Sequence, residues 1–121
     1  MRYDAQCNGS ASSTGVCMLR HVAMFKFQEG ISDAQKAEAR DALDNLMGVV
    51  PSLRAMTTGL NVEHDLYHHA SERNWDMVLV ADFDDLEGLG SYFAHPTMKA
   101  ASDLVASVTE KEITARVQFP F

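Results

Sequence analysis

Residues 75–83 read WDMVLVADF. Bulky β-branched and apolar residues fill the segment, and acidic residues follow it, the signature of a strand. In a small antiparallel sheet with one wet face, apolar and polar residues alternate along each strand. The core of this segment, MVLVA at 77–81, does not alternate. Neither does VAMF at 22–25, inside a second strand-like stretch, LRHVAMFKF at 19–27. Both faces of these strands therefore require burial. Helices packed on one side cover only one face. The other face is expected to meet a second copy of the same sheet, which predicts a homodimer.

Outward from these two strands, the remaining elements fall into place. After 19–27, QEG at 28–30 makes a turn, and Ser32 followed by Gln35 forms a capping box that opens a helix. Ala39, Ala42, Leu43, Leu46 and Met47 recur at helical spacing, and Gly48 and Pro51 end that helix. Residues 53–62 read as a strand with a bulge or close-packing point at Gly59. Beyond 75–83, Asp84 with Glu87 is expected to cap a helix whose Leu86, Leu89 and Phe93 face one way. His95 caps a third helix, Pro96 is its first residue, and Met98, Ala101, Leu104, Val105 and Val108 form its apolar face. The last strand, 113–119, alternates with Thr114, Arg116 and Gln118. The order β-α-β-β-α-α-β fits an α+β, ferredoxin-like sandwich: a four-stranded antiparallel sheet with helices on one face.

The 121 residues make one domain, expected to span 18–121 and to begin at Met18. Residues 1–17, MRYDAQCNGSASSTGVC, read as a flexible arm rich in small residues and without the apolar core of a signal peptide. Cys7 and Cys17 lie in this arm and make no metal-ligand set. A disulfide between them is open, but free thiols and a cytoplasmic location are expected. A net charge of −7 argues against a nucleic-acid partner and against an anionic membrane surface. No apolar run approaches the ~20 residues of a membrane span. A small molecule or another protein remains as the partner.

Alternation assigns Leu19, His21, Ala23, Phe25 and Phe27 to one face of the first strand, and Arg20, Val22, Met24 and Lys26 to the other. The aromatic-rich face suits the helix side. His21 is then expected to point between sheet and helices, where a small α+β domain can hold a cavity.

Three stretches carry a resemblance: LRHVAMFKFQEGISDAQKAEA, LMGVVPSLRAMTTGLNV and WDMVLVADFDDLEGLGSYFAHPTMKAA. With the strand histidine, the Pro-Ser-Leu-Arg after the first helix and the YFAHP motif, residues 18–119 resemble the stress-responsive dimeric α/β barrel family. The resemblance implies a ferredoxin-like domain that pairs two sheets into a barrel. Most relatives have no assigned activity, some respond to stress, and a few plant relatives are polyketide cyclases working without a cofactor. Set against those cyclases, the strand histidine falls on His21, the helix tyrosine on Tyr92 and the His-Pro histidine on His95. The main acid–base histidine falls on Met98, and a second pocket histidine near Met77.

Proton abstraction beside a carbonyl needs a base and a donor that steadies the enolate. His21 and Tyr92 are the candidates for those catalytic roles. The lost imidazole at position 98 argues against the cyclase mechanism. His21, Phe25, Met77, Tyr92, His95 and Met98 are the candidate ligand-binding residues, with Phe25, Met77 and Met98 forming a soft apolar lining. A helical reading of the 63–74 connection would align His64, His68 and Glu72 for a transition metal, but a solvated loop is the expected state and no metal site is assigned. No phosphate loop, serine triad or flavin or nicotinamide fingerprint is visible, so no cofactor is assigned. Three functions stay open: a stress-associated dimer binding a small apolar or phenolic molecule, a cofactor-independent cyclase or small-aromatic monooxygenase, and a purely structural dimer.

Overall fold

The computed structural model describes residues 17–64, 66 and 74–121. The elements run β1 (Leu19–Phe25), α1 (Asp33–Asp44), β2 (Ala55–Leu60), β3 (Met77–Phe83), α2 (Leu86–Ala94), α3 (Pro96–Val108), a 3-10 turn (Lys111–Ile113) and β4 (Ala115–Pro120). The strands form one antiparallel sheet in the order β2-β3-β1-β4. This is the ferredoxin-like α+β architecture. Among the described residues no helix is long and apolar enough to cross a membrane.

The expected phase of β1 holds. Leu19, His21, Ala23 and Phe25 are buried, while Arg20, Val22 and Met24 are half-buried. On β3, Met77, Leu79, Ala81 and Phe83 are buried toward the helices, and Val78 and Val80 face the other way. With Ala39, Leu43, Leu46, Val50, Leu89, Tyr92, Ala101, Val105 and Val108, these side chains form one core between sheet and helices. Thr58 of β2 ties α1 to the sheet: its hydroxyl donates to Asp44 Oδ1 at 2.6 Å and accepts from Arg40 Nε at 3.0 Å.

The outer face of the sheet carries Val22, Met24, Val78, Val80, Val117 and Phe119, with the last two 54% and 41% exposed. A charged pair interrupts it. Arg20 and Asp82 are register partners, and the guanidinium donates to both carboxylate oxygens at 2.8 and 2.9 Å. The same guanidinium stacks on the Phe121 ring at 4.2 Å.

Several local expectations need correction. The ladder of β1 ends at Phe25, because the Phe27 N–H donates to Asp76 Oδ2 and Phe27 keeps only an isolated bridge to Thr109. No bulge occurs at Gly59, whose pairing with Val78 continues the register of β2 on β3. The stripe of α1 overruns the helix: Leu46 is buried in the following turn, while Met47 is exposed, and Gly48 turns the chain at φ 88°. Such a positive φ suits glycine. The cap of α2 is Asp85, which accepts from the Gly88 N–H at 2.8 Å. Asp84 is taken instead by Arg54, at 3.1 and 2.8 Å. Leu89 and Tyr92 turn inward, while Leu86 and Phe93, expected on the same face as Leu89, are exposed. The Ser32–Gln35 capping box and the His95 cap, whose Nδ1 accepts from the Thr97 N–H at 3.1 Å, are present as read from the sequence. Cys17 is disulfide-bonded, where free thiols were expected. The remainder of the 1–17 arm, and His68 and Glu72 of the imagined metal set, lie outside the described residues.

Loss of a helix N-cap acceptor costs about 1 kcal/mol. Asp85→Ala is therefore expected to lower unfolding stability by about that amount in urea denaturation, and Asp84→Ala by clearly less. Equal losses for both substitutions would return the cap to Asp84.

Candidate functional site

A cavity of about 320 Å³ opens between the sheet and the helix layer. From the sheet, β1 contributes His21, Ala23 and Phe25, and β3 contributes Leu79. From the helices come Leu43 of α1, Tyr92 and Phe93 of α2, and Met98, Ser102 and Val105 of α3. The segment after α3 adds Thr109, Lys111 and Thr114, and β4 adds Arg116. The volume lies at the small end of ligand pockets, which run from ~300 to 1,000 Å³. It suits a molecule of about one ring.

His21 is 2% exposed. Its Nδ1–H donates to Gln118 Oε1 at 2.6 Å, from the residue directly opposite on β4. An amide oxygen only accepts, so this bond places the proton on Nδ1 and leaves the lone pair on Nε2. The ring meets Phe93 edge-on, 5.4 Å between centroids and 89° between planes. Burial lowers the proton affinity of the imidazole, the Gln118 bond partly opposes this, and the charge of Arg116 lowers it further. His21 is thus a neutral imidazole at pH 7, with Nε2 able to accept a proton.

Tyr92 is fully buried, wedged between Phe83 and Phe93 at ring distances of 5.1 and 5.3 Å. Its hydroxyl has no hydrogen-bond partner among the described residues. Burial raises its pKa to about 12, so it remains a donor across the physiological range. A buried hydroxyl without a partner costs about 1–3 kcal/mol. Few folds retain one without a use for it.

Of the residues singled out in the sequence, the structure brings His21, Phe25, Tyr92 and Met98 to this one cavity. It does not bring Met77 or His95. Met77 lines a different, broader groove of about 550 Å³ with Met24, Lys26, His64, Trp75 and Asp76. His95 spends its Nδ1 on the cap of α3. Sequence reasoning missed Gln118, Lys111 and Arg116. The signal was present: residues 114, 116 and 118 alternate as a polar set, and the register opposite His21 and Ala23 turns that set toward the cavity.

A family model described as Stress responsive A/B Barrel Domain matches residues 19–117. Olivetolic acid cyclase of Cannabis sativa is 25% identical over 93 residues, covering 77% of this chain and 88% of the cyclase. A dimeric ferredoxin-like protein of unknown function from Thermobifida fusca superimposes with a TM-score of 0.71 at 25% identity, covering 88% of this chain and 92% of that one. Hydroxynitrile lyase from Passiflora edulis superimposes with a TM-score of 0.70 at 15% identity over 86% and 93% of the two chains, a likeness of fold alone.

Because the folded state resists protonating His21, the unfolded chain takes up the extra proton first as pH falls below the ordinary 6.5. The stability linked to neutral His21 is present above that pH and is lost below it. Denaturation midpoints measured stepwise from neutral to mildly acidic pH should fall more steeply for the wild type than for His21→Gln. Parallel curves would mean that His21 titrates as it does in the unfolded chain.

Proposed function

The chain belongs to the stress responsive A/B barrel domain family, and on that premise we propose that it is a homodimer that binds a small, largely apolar molecule between sheet and helices. The buried, unpartnered hydroxyl of Tyr92, a residue that lines a 320 Å³ cavity, carries this reading. A ligand oxygen accepting from Tyr92 satisfies that donor, and Phe25, Met98 and Val105 enclose the apolar part. The homodimer rests on the apolar outer face of the sheet and on dimeric structural neighbours. A purely structural role predicts a filled interior, and the cavity counts against it.

A second reading, cofactor-independent acid–base chemistry, has one observation in its favour. Neutral His21 offers Nε2 as a base in the same cavity where Tyr92 offers a donor. In that reaction His21 takes the proton beside a substrate carbonyl, and Tyr92 steadies the enolate oxygen. Met98 stands where the cyclases carry their main acid–base histidine, and a thioether neither donates nor accepts a proton. Binding is therefore the stronger reading.

Native mass spectrometry of freshly purified protein is expected to give twice the 13.4 kDa chain mass, plus that of a bound small molecule. A bare monomer would refute both parts. Tyr92→Phe removes an unsatisfied buried hydroxyl at almost constant volume. Without ligand it should unfold about 1 kcal/mol less readily than the wild type. It should also retain less of the co-purifying molecule. A destabilised variant with unchanged ligand mass would mean that the hydroxyl serves the fold and not a ligand.

A further inference from the structure

The cavity wall has a charge pattern unlike the rest of the chain. The chain carries 17 acidic residues and a net charge of −7, yet among the described residues no carboxylate lines this cavity. Two cations do, Lys111 on the 3-10 turn and Arg116 on β4, and both are exposed while Tyr92 lies fully buried. The two cations are thus on the exposed side of the lining and the phenol on its buried side. Elsewhere, Arg20, Lys26, Arg40 and Arg54 each engage a carboxylate, while Lys36, over the Phe27 ring, and Lys99 engage none and line no part of this cavity. Among the described residues, Lys111 and Arg116 engage none.

We propose that Lys111 and Arg116 form an anion subsite on the exposed side of the cavity, so that the ligand class is a small amphiphilic carboxylic acid. Its carboxylate meets the two cations. Its apolar body lies against Phe25, Met98 and Val105, and an oxygen at its far end accepts from Tyr92. This rests on the reading of the cavity as a ligand site and deepens it. Guanidinium and ammonium donors form charge-assisted hydrogen bonds to carboxylate, roughly twice as strong as neutral ones. The pairing of types is also apt, since the planar Arg fork matches a carboxylate in two-point contact and Lys adds a mobile point charge. The positive charge of Arg116 already reaches the cavity interior, where it opposes protonation of His21. A carboxylate bound there would offset that charge and make the imidazole a better base, so the subsite couples ligand binding to the state of His21.

The test compares para-butanoylbenzoate with its neutral amide, para-butanoylbenzamide, by titration calorimetry on the full chain. The two probes share the aromatic body and the ketone that reaches Tyr92, and differ only in the charged head. The benzoate should bind about tenfold more tightly, the equivalent of about 1.4 kcal/mol. That preference should shrink at high salt. It should fall to near unity in the Lys111→Ala/Arg116→Ala double variant, whose two changes lie at exposed positions. Equal binding of both probes to the wild type, or a preference that survives the double variant, overturns the anion subsite and leaves the cavity reading standing. Failure of both probes to bind, or undiminished binding of both to Met98→Trp, which fills the cavity, overturns the cavity reading and the subsite with it.

Discussion

A four-stranded sheet has two faces, and this chain supplies helices for one of them. On β1 and β3 the residues of both faces are apolar, so the sheet is built to be covered twice. The helix side takes the larger and more aromatic set, which fixes the direction in which His21 and Phe25 point. The outer side takes Val22, Val78, Val80, Val117 and Phe119, around the Arg20–Asp82 pair. An ion pair on such a face costs desolvation, so its value to an assembly lies in fixing register more than in adding affinity. A second copy of the sheet is the proposed cover. It presents the same pair and the same apolar set, as an isologous contact requires.

The cavity follows from how the helix layer meets that sheet. The α1 and α3 helices pack on each other, and α2 is short, nine residues, with glycine at 88 and 90. Over β1 and β4 the layer is closed by Tyr92, Phe93, Met98 and Val105 instead of by a fourth element. Edge strand β4 then becomes a wall of the site. Its polar residues face inward beside the cavity, and its apolar ones face out, the reverse of a sheet with a wet outer face.

That reversal explains what was legible in the sequence. Element order, the phase of β1, the capping box at Ser32 and the cap at His95 all depend on local chemistry, and local chemistry is written in consecutive residues. His21, Phe25, Tyr92 and Met98 were found because strand phase and family resemblance pointed to the same place. Gln118 was not found, because its role is set by the register of β4 on β1, across 97 residues of chain. The α2 cap was misread for a related reason. Asp84 and Asp85 are equally good caps in isolation, and only Arg54, on the segment entering β2, decides between them. Met77 was drawn to the pocket by resemblance, while the structure sets it in the core opposite Phe25 and along a different groove.

The balance between binding and catalysis turns on what the site has kept and lost. It keeps a base with a defined tautomer: the Gln118 bond orients the ring and leaves Nε2 with its lone pair. It keeps a phenol too weakly acidic to ionise, held on the buried side by aromatic packing. It lacks an imidazole at position 98, where a thioether adds soft apolar contact instead. A reaction needs the proton to leave the base again within each turnover, and a second titrating group in the cavity is the usual route. Among the described lining residues there is no second imidazole and no carboxyl group for that. A ligand, by contrast, needs only an acceptor for Tyr92, an apolar body and a head group that meets the cations. On the proposed reading, those demands fall on groups already among the lining residues: Tyr92, Phe25, Met98, Lys111 and Arg116.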